Sequence, residues 1–275
     1  MKRIVWITVG RRRYMELQYR FLVRQLDAAD KFVFCLQRLG APERQFVNDA
    51  CAKYPDKFSQ IEIGRPNAGS ASVVNLLKHP TMHDENTLYI KMDDDIIFLE
   101  DGTLDYLFRL KESRQDMPLI FPNIINNAIT NYLHQKRFVY DANAGVATWS
   151  AFCDVGLYSA KYCQHVHDTF LRHAADGTLD AFRFPPFRVM DYQRISIGCI
   201  AYAGRDLKAH LSDMTEDCEK SMAMIFPRKM GYPPVIAGEK IVSHFSYHMQ
   251  EEALLKTDIL GRYERLTNTY TKRPL

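Results

Sequence analysis

The sequence predicts a single α/β domain, with a mostly parallel central sheet flanked by helices and a closing helix near the C-terminal end. Three observations carry that expectation. Apolar stretches in the first hundred residues alternate between strand-like and helical spacing, and no internal repeat or Pro/Gly-rich linker divides the chain. A run of three aspartates, Asp93 to Asp95, ends the fourth strand-like stretch, where ligands of such sheets bind. The 275 residues, 47% hydrophobic and 25% charged with 13 Gly, can bury a sizeable core and exclude disordered, collagen-like and repeat architectures.

The elements follow in order. RIVWITV (3 to 9) reads as a buried strand, YMELQYRFLVRQL (14 to 26) as a helix and KFVFCLQ (31 to 37) as a second strand. PERQFVNDACAKY (42 to 54) has helical spacing, FSQIEI (58 to 63) is strand-like, SASVVNLLKH (70 to 79) is helical, and TLYIKM (87 to 92) leads into the aspartates. The second part is less regular. LIFPNII (119 to 125) predicts a strand and SAKYCQHVHDTFLRHA (159 to 174) a helix, while RISIGCIAY (194 to 202) suits either a strand or a buried helix. Residues 130 to 149 mix aromatic, basic and small polar side chains without a period, as a binding loop does. KIVSHFSYH (240 to 248) predicts a strand and EEALLKTDILGRYERLTNTY (251 to 270) the closing helix.

Adjacent carboxylates repel and resist desolvation unless a cation or a set of donors compensates them. Hard divalent cations such as Mg²⁺ or Mn²⁺ take one or two carboxylates plus substrate phosphates, which suits Asp93 and Asp95. If the extended backbone continues through the triplet, those two side chains share one face and Asp94 points to the other, toward a sugar or ribose. A solvated acidic turn would use the same residues, but the position at a strand end favours the cation.

With these motifs the sequence resembles the GT-A class of nucleotide-sugar glycosyltransferases, Rossmann-like in fold, and in particular the inverting family 2 type. The resemblance rests on the order of ITVGRRR (7 to 13), NAGSASVVN (67 to 75), DDD (93 to 95), TEDCE (215 to 219) and SHFSYH (243 to 248). It implies a nucleotide-sugar-binding half over residues 1–100 and an acceptor-binding half over 101–275. Thr8, Val9, Gly10, Asn67, Gly69 and Asn75 would contact the nucleotide sugar with Asp93 and Asp94, and Lys91, Arg11 and Arg13 would attract its diphosphate. Asp93, Asp95 and His244 would hold Mn²⁺ or Mg²⁺, and Asp217, or else Glu216, would serve as the base. The implied reaction moves a sugar from a nucleoside-diphosphate sugar to an acceptor hydroxyl, on a surface glycan or another carrier including a lipid-linked one, by a single inverting displacement. Ordinary roles compete at each position: Asn67 and Gly69 are common turn residues, and acidic residues stabilise any helix N-terminus. His165 and His167 read as structural.

Two other functions fit the same outline. A sugar nucleotidyltransferase also uses acidic residues at a doubly wound sheet, but would carry a longer Gly-rich loop after its first strand than the lone Gly10. A catalytically silent carbohydrate-binding scaffold would not need both the acidic triplet and the acidic pair. The net charge of +3 is too small for a nucleic-acid footprint. Six widely spaced cysteines in apolar surroundings, with no Cys-x-x-Cys pair, predict free thiols and a reducing, cytoplasmic setting. The apolar run at the start ends at Val9, too short for a signal-peptide core, and no stretch is long enough to span a bilayer, which leaves peripheral membrane contact open.

Overall fold

The computed structural model describes residues 1–37, 39–63 and 70–272. The first part follows the expected alternation: β1 (Lys2–Thr8), α1 (Arg12–Val23), β2 (Lys31–Leu36), α2 (Ala41–Lys53), β3 (Phe58–Glu62), α3 (Ser70–Leu77) and β4 (Thr87–Met92). After a tight turn come β5 (Ile96–Leu99), α4 (Thr103–Ser113), β6 (Leu119–Ile125), α5 (Ala128–Lys136), α6 (Asp154–Tyr158) and α7 (Ala160–Asp176). The chain continues through β7 (Phe187–Arg188), β8 (Cys199–Ala203), α8 (Gly204–Lys208), α9 (Cys218–Lys220), α10 (Phe226–Met230), β9 (Val235–His244), α11 (His248–Leu254) and α12 (Ile259–Tyr270).

Among the described residues, one sheet of nine strands joins both parts of the chain in the order β3-β2-β1-β4-β8-β6-β9-β5, with β7 also on β9. The strands β3, β2, β1 and β4 pair in parallel, and β6 and β9 run the same way; β8 intervenes antiparallel to both β4 and β6. Strand alternation splits the core into two layers. Val5, Ile7, Leu88 and Ile90 pack with α1, α2, α4, α7 and α12, through side chains such as Phe21, Val47, Leu107, Phe170 and Tyr263. Trp6 and Tyr89 pack on the other face with Leu76 and Leu77 of α3, Leu207 of α8 and Phe226 of α10.

Several elements differ from the sequence expectation. The expected loop at 130 to 149 begins as α5, capped by Asn127, whose side-chain oxygen accepts from the N–H groups of Ile129 and Thr130. Its inner face is polar, with Thr130, Asn131 and His134 buried, so no apolar period marks it. Of the segment 194 to 202, the part from Cys199 on forms strand β8, while 194 to 198 lead into it without regular structure. Strand β9 starts earlier than expected and ends at His244, and His248 opens α11 instead of sharing a strand face with His244. The closing helix is two helices, α11 and α12.

The position of His244 depends on a bulge. The register of β6 against β9 shifts between Pro122 and Asn123, and beyond it Ile96 of β5 faces His244. Buried Asn123 secures the shift: its Nδ2 donates to the carbonyls of Phe182 and Gly238 at 2.8 and 3.1 Å, and its Oδ1 lies 2.8 Å from His134 Nε2. Asn123→Ala should therefore lower stability by about 1–3 kcal/mol, the cost of buried polar partners left unpaired. Urea titration should show a lower midpoint with an unchanged slope.

Candidate functional site

The acidic triplet closes the short connection from β4 to β5 as a turn, so the side-chain alternation assumed for it stops at Asp93. Up to that point the alternation holds: Lys91 and Asp93 share a face, with Lys91 Nζ 2.5 Å from Asp93 Oδ1. Lys91 Nζ also donates to the carbonyl of Ile197 at 2.8 Å, so its ammonium, 1% exposed as a side chain, is paired and hydrogen-bonded. Thr8 Oγ1 donates to Asp93 Oδ1 at 3.0 Å, and Gln18 Nε2 to the Asp93 carbonyl at 2.7 Å. Burial pushes the Asp93 carboxyl up, and the charges of Asp95 and Asp94 add to that, against the pull of Lys91.

The carboxylates of Asp94 and Asp95 turn instead toward Arg11. Its backbone N–H and Nε donate to Asp94 Oδ2 at 2.6 and 3.0 Å, and Nη2 donates to Asp94 Oδ1 at 2.9 Å and to Asp95 Oδ2 at 2.8 Å. Gly10 is required beside this clamp, because a Cβ there would overlap the Asp94 carboxylate. The same guanidinium reaches Glu251 of α11 at 3.1 Å, and Tyr14 OH donates to that carboxylate at 2.7 Å. Arg13 stands farther off, 3.6 Å from Glu251 and half exposed. On the other side of Asp95, His244 Nε2 lies 3.5 Å from Oδ2 while Nδ1 faces the Asn126 carbonyl at 3.0 Å. Burial alone would raise the Asp95 carboxyl, but His244 and Arg11 hold it well below the usual carboxylate range. Burial would likewise lower the His244 imidazole, and Asp95 outweighs it, so the ring's pKa is raised.

Beside Asp93 opens a cleft of about 560 Å³, lined in part by Lys91, Asp93, Arg194, Asp217 and Glu219. Asp217 is the N-cap of α9 and accepts from Lys220 N–H at 3.0 Å. Arg194 Nη1 donates to Asp217 Oδ2 at 2.6 Å and its Nε to Glu219 Oε2 at 3.0 Å. Partial burial would raise the Asp217 carboxyl, but Lys220 N–H and Arg194 together pull it down. Glu216 lines the same cleft and is exposed.

The structure thus gathers Thr8, Gly10, Arg11, Lys91, Asp93, Asp94, Asp95 and His244 at one strand end, with Asp217 and Glu216 across the cleft. Val9 is buried, its N–H donating to the Cys35 carbonyl at 3.2 Å, and Asn75 is exposed on α3. Asn67 and Gly69 lie outside the described residues. The expected trio Asp93, Asp95 and His244 is not drawn together: Asp93 faces Lys91, and only Asp95 meets His244. Among the described residues, no group of three or more His, Cys, Asp or Glu side chains is arranged to hold a metal ion. His165 and His167 are structural, His167 bridging Tyr263 OH and the Phe245 carbonyl. Sequence reasoning did not single out Arg194, Gln18 or Glu251. A lone arginine before an apolar strand, a glutamine in a helix and a glutamate on a mixed helix carry no local pattern that marks them.

No family model and no curated protein matches the chain. Among solved structures it is similar to a CMP:2-keto-3-deoxy-manno-octonic acid synthetase complexed with CTP, at 11% identity over 96% of this chain and 100% of that one, with a TM-score of 0.48. It is also similar to a 4-diphosphocytidyl-2C-methyl-D-erythritol synthase, at 12% identity over 86% of this chain and 89% of that one, with a TM-score of 0.44. A third is the 2-C-methyl-D-erythritol 4-phosphate cytidylyltransferase of Francisella tularensis, at 9% identity, covering 94% and 100%, with a TM-score of 0.43. At such identities and scores the likeness says nothing of the reaction. Among the described residues, no helix is long and apolar enough to cross a membrane, and all six cysteines are free.

Arg11 is the main counter-charge of Asp94 and Asp95, so Arg11→Met should destabilise the fold by roughly 1–3 kcal/mol, less than a fully buried pair because its side chain is 34% exposed. Asp95 is depressed in the folded state, so its contribution is present above the unfolded value of about 3.9 and is lost as pH falls through the folded one. The penalty of the substitution should therefore be largest near neutrality and shrink below about pH 4. Urea midpoints of both proteins across that range check the sign.

Proposed function

We propose that this chain is a transferase acting on a nucleoside-diphosphate sugar, moving the sugar to an acceptor hydroxyl. The supporting observation is the cleft at the C-terminal end of β4, where Lys91 and Asp93 face Arg194, Asp217 and Glu219 across a space large enough for a small ligand. Four carboxylates, Asp93, Glu216, Asp217 and Glu219, line that cleft against the two cations Lys91 and Arg194. A diphosphate entering it needs further positive charge. In this proposal Mn²⁺ or Mg²⁺ would bring that charge, and Asp95 and His244, whose carboxylate oxygen and ring nitrogen face each other, would be the residues to hold it. Such an ion, when bound, stabilises the negative charge of a departing phosphate.

The chain's own residues set the remaining roles. Arg194 orients the anionic end of the donor, and Thr8 and the buried Lys91 fix Asp93. A proton acceptor for the attacking hydroxyl must lie within hydrogen-bond reach of it, and each hydrogen bond its carboxylate already accepts lowers its basicity. Asp217, expected as the base, gives one oxygen to Lys220 N–H and the other to Arg194. Glu219 gives one oxygen to Arg194 and lines both the cleft and the smaller pocket next to it. We therefore assign the base to Glu219 and the holding of Arg194 to Asp217. Glu219→Gln should cut turnover about 10²- to 10⁴-fold with donor affinity unchanged. Asp217→Asn should weaken donor binding as well, because Arg194 loses a partner; normal donor affinity with collapsed turnover in that variant would return the base to Asp217.

Nucleotidyl transfer from a nucleoside triphosphate is the second reading, since Lys91 and Arg194 in a strand-end cleft would also receive a triphosphate. The turn after β1 weighs against it: only Val9, Gly10 and Arg11 separate β1 from α1, and the Arg11 N–H is taken by Asp94. Incubation with nucleotide sugars and, separately, nucleoside triphosphates plus sugar phosphates decides between them. We expect slow, Mn²⁺- or Mg²⁺-dependent release of nucleoside diphosphate, abolished in Asp95→Ala. Pyrophosphate release would instead establish nucleotidyl transfer, and neither product would remove both readings.

A further inference from the structure

Beyond Arg194 and Glu219 lies a second cavity of about 170 Å³ that the roles above leave unused. It falls below the roughly 300 Å³ at which pockets begin to take drug-sized ligands, so it suits one ring and not a nucleotide. Its lining is mixed. Phe152 and Leu157 offer apolar surface, and Phe152 is 62% exposed with the Arg194 guanidinium 5.0 Å from its ring centroid. Asn127, Ser196, Glu219 and Tyr247 add hydrogen-bonding side chains to the same lining. The Tyr247 ring lies edge-on to His244 at 4.9 Å, so the cavity's wall is one ring away from the imidazole that meets Asp95. Arg194 and Glu219 belong to both cavities, and the pair forms the partition between them.

We propose that this pocket is the subsite for a single pyranose-sized ring of the acceptor, uncharged and bearing hydroxyls, with its apolar face on Phe152. The assignment rests on the transferase reading for its place in the reaction, but not for its ligand chemistry. A sugar ring has an apolar face for an aromatic side chain and hydroxyl edges for carboxylate, amide and hydroxyl partners. An anionic ring is disfavoured, because Glu219 lines the pocket and, with Asp217, outweighs the single positive charge of Arg194. A hydroxyl seated here comes up to the partition at Glu219, while the donor's departing end stays on the Lys91 side. The ring's own attack forms the new bond from acceptor oxygen to anomeric carbon, breaks the bond from that carbon to phosphate, and passes the hydroxyl proton to Glu219.

The test uses the full chain and a panel of methyl glycosides of glucose, galactose, mannose and N-acetylglucosamine as probes, with binding followed by ligand-observed NMR. Uridine, guanosine and cytidine diphosphates are titrated separately with Mn²⁺. Two variants address the pocket: Phe152→Ala removes the exposed ring without touching the core, and Ala151→Trp fills the cavity. At least one glycoside should bind the wild type, weaken about tenfold in Phe152→Ala and be lost in Ala151→Trp, with diphosphate affinity unchanged in Ala151→Trp. Absence of glycoside binding to the wild type, or equal binding to all three proteins, overturns the subsite. Glycoside binding that responds to both variants while no diphosphate binds supports the sugar pocket and removes the transferase reading instead.

Discussion

Three adjacent carboxylates at one strand end are the constraint on which the rest of this structure depends. Left alone, desolvated charges of one sign within a few ångströms would not stay ionised. The fold answers from three directions. Lys91 comes from within the same strand, Arg11 from the turn after β1, and His244 from the end of β9. Each answer fixes a neighbour. Gly10 lacks a side chain because Asp94 fills that space, α11 is tied in by Glu251, and the bulge in β9 carries His244 to its place opposite Ile96. Parallel strands alone would have brought only β1 and β4 together; the antiparallel β5 and the bulged β9 deliver the histidine.

The opposite wall is organised by Arg194 in the same manner. It stands ahead of β8, the antiparallel strand that separates β4 from β6, and it holds Asp217 and Glu219 at once. Asp217 is in turn fixed by its capping bond to Lys220 N–H, so the arginine is oriented by a helix end instead of by loose side-chain pairing. The two walls differ in exposure. Lys91 is nearly inaccessible, whereas Asp217 is 41% exposed as a side chain, so the first is a fixed charge and the second lies open to solvent and ligands.

How much of this was legible in the sequence follows from what each element buries. Strands β1 and β4 read clearly because parallel strands in the sheet interior are short apolar runs, and RIVWIT and TLYIKM match them closely. The aspartates were legible as a place that needs positive charge, but not the identity of the cation, since Arg11 is adjacent to Arg12 and Arg13 and nothing local separates the three. Helix α5 was hidden because Asn131 and His134 face inward, so hydrophobic periodicity misses it. At β9 the polar Glu239 and Lys240 interrupt the apolar run at the bulge and conceal its first residues. His248 was misplaced because its helix starts from a Tyr247 and Gln250 capping box, not from a Ser, Thr, Asp or Asn that would signal a helix start. Asp93 and Asp95 were paired by strand alternation, and a turn of two residues is enough to defeat that rule.

The internal origin of the compensation has a consequence for ligand binding. A cluster of uncompensated carboxylates would bind cations readily but would weaken the fold in their absence. Here Arg11, Lys91 and His244 meet the charges from within the protein. Any ion that reaches Asp95 then exchanges against contacts already made: a 2.8 Å bond from Arg11 and the approach of His244 Nε2 to the same carboxylate at 3.5 Å. Arg11 is less exposed to loss in such an exchange than its bonds to Asp94 and Asp95 alone imply, because Glu251 remains within 3.1 Å and Tyr14 lies beneath its guanidinium at 4.8 Å. The imidazole has a similar retreat, since its other nitrogen faces the Asn126 carbonyl throughout. Affinity for a cation at this site is thus a difference between two well-made sets of contacts. It is set as much by the residues that receive Arg11 as by the carboxylates themselves.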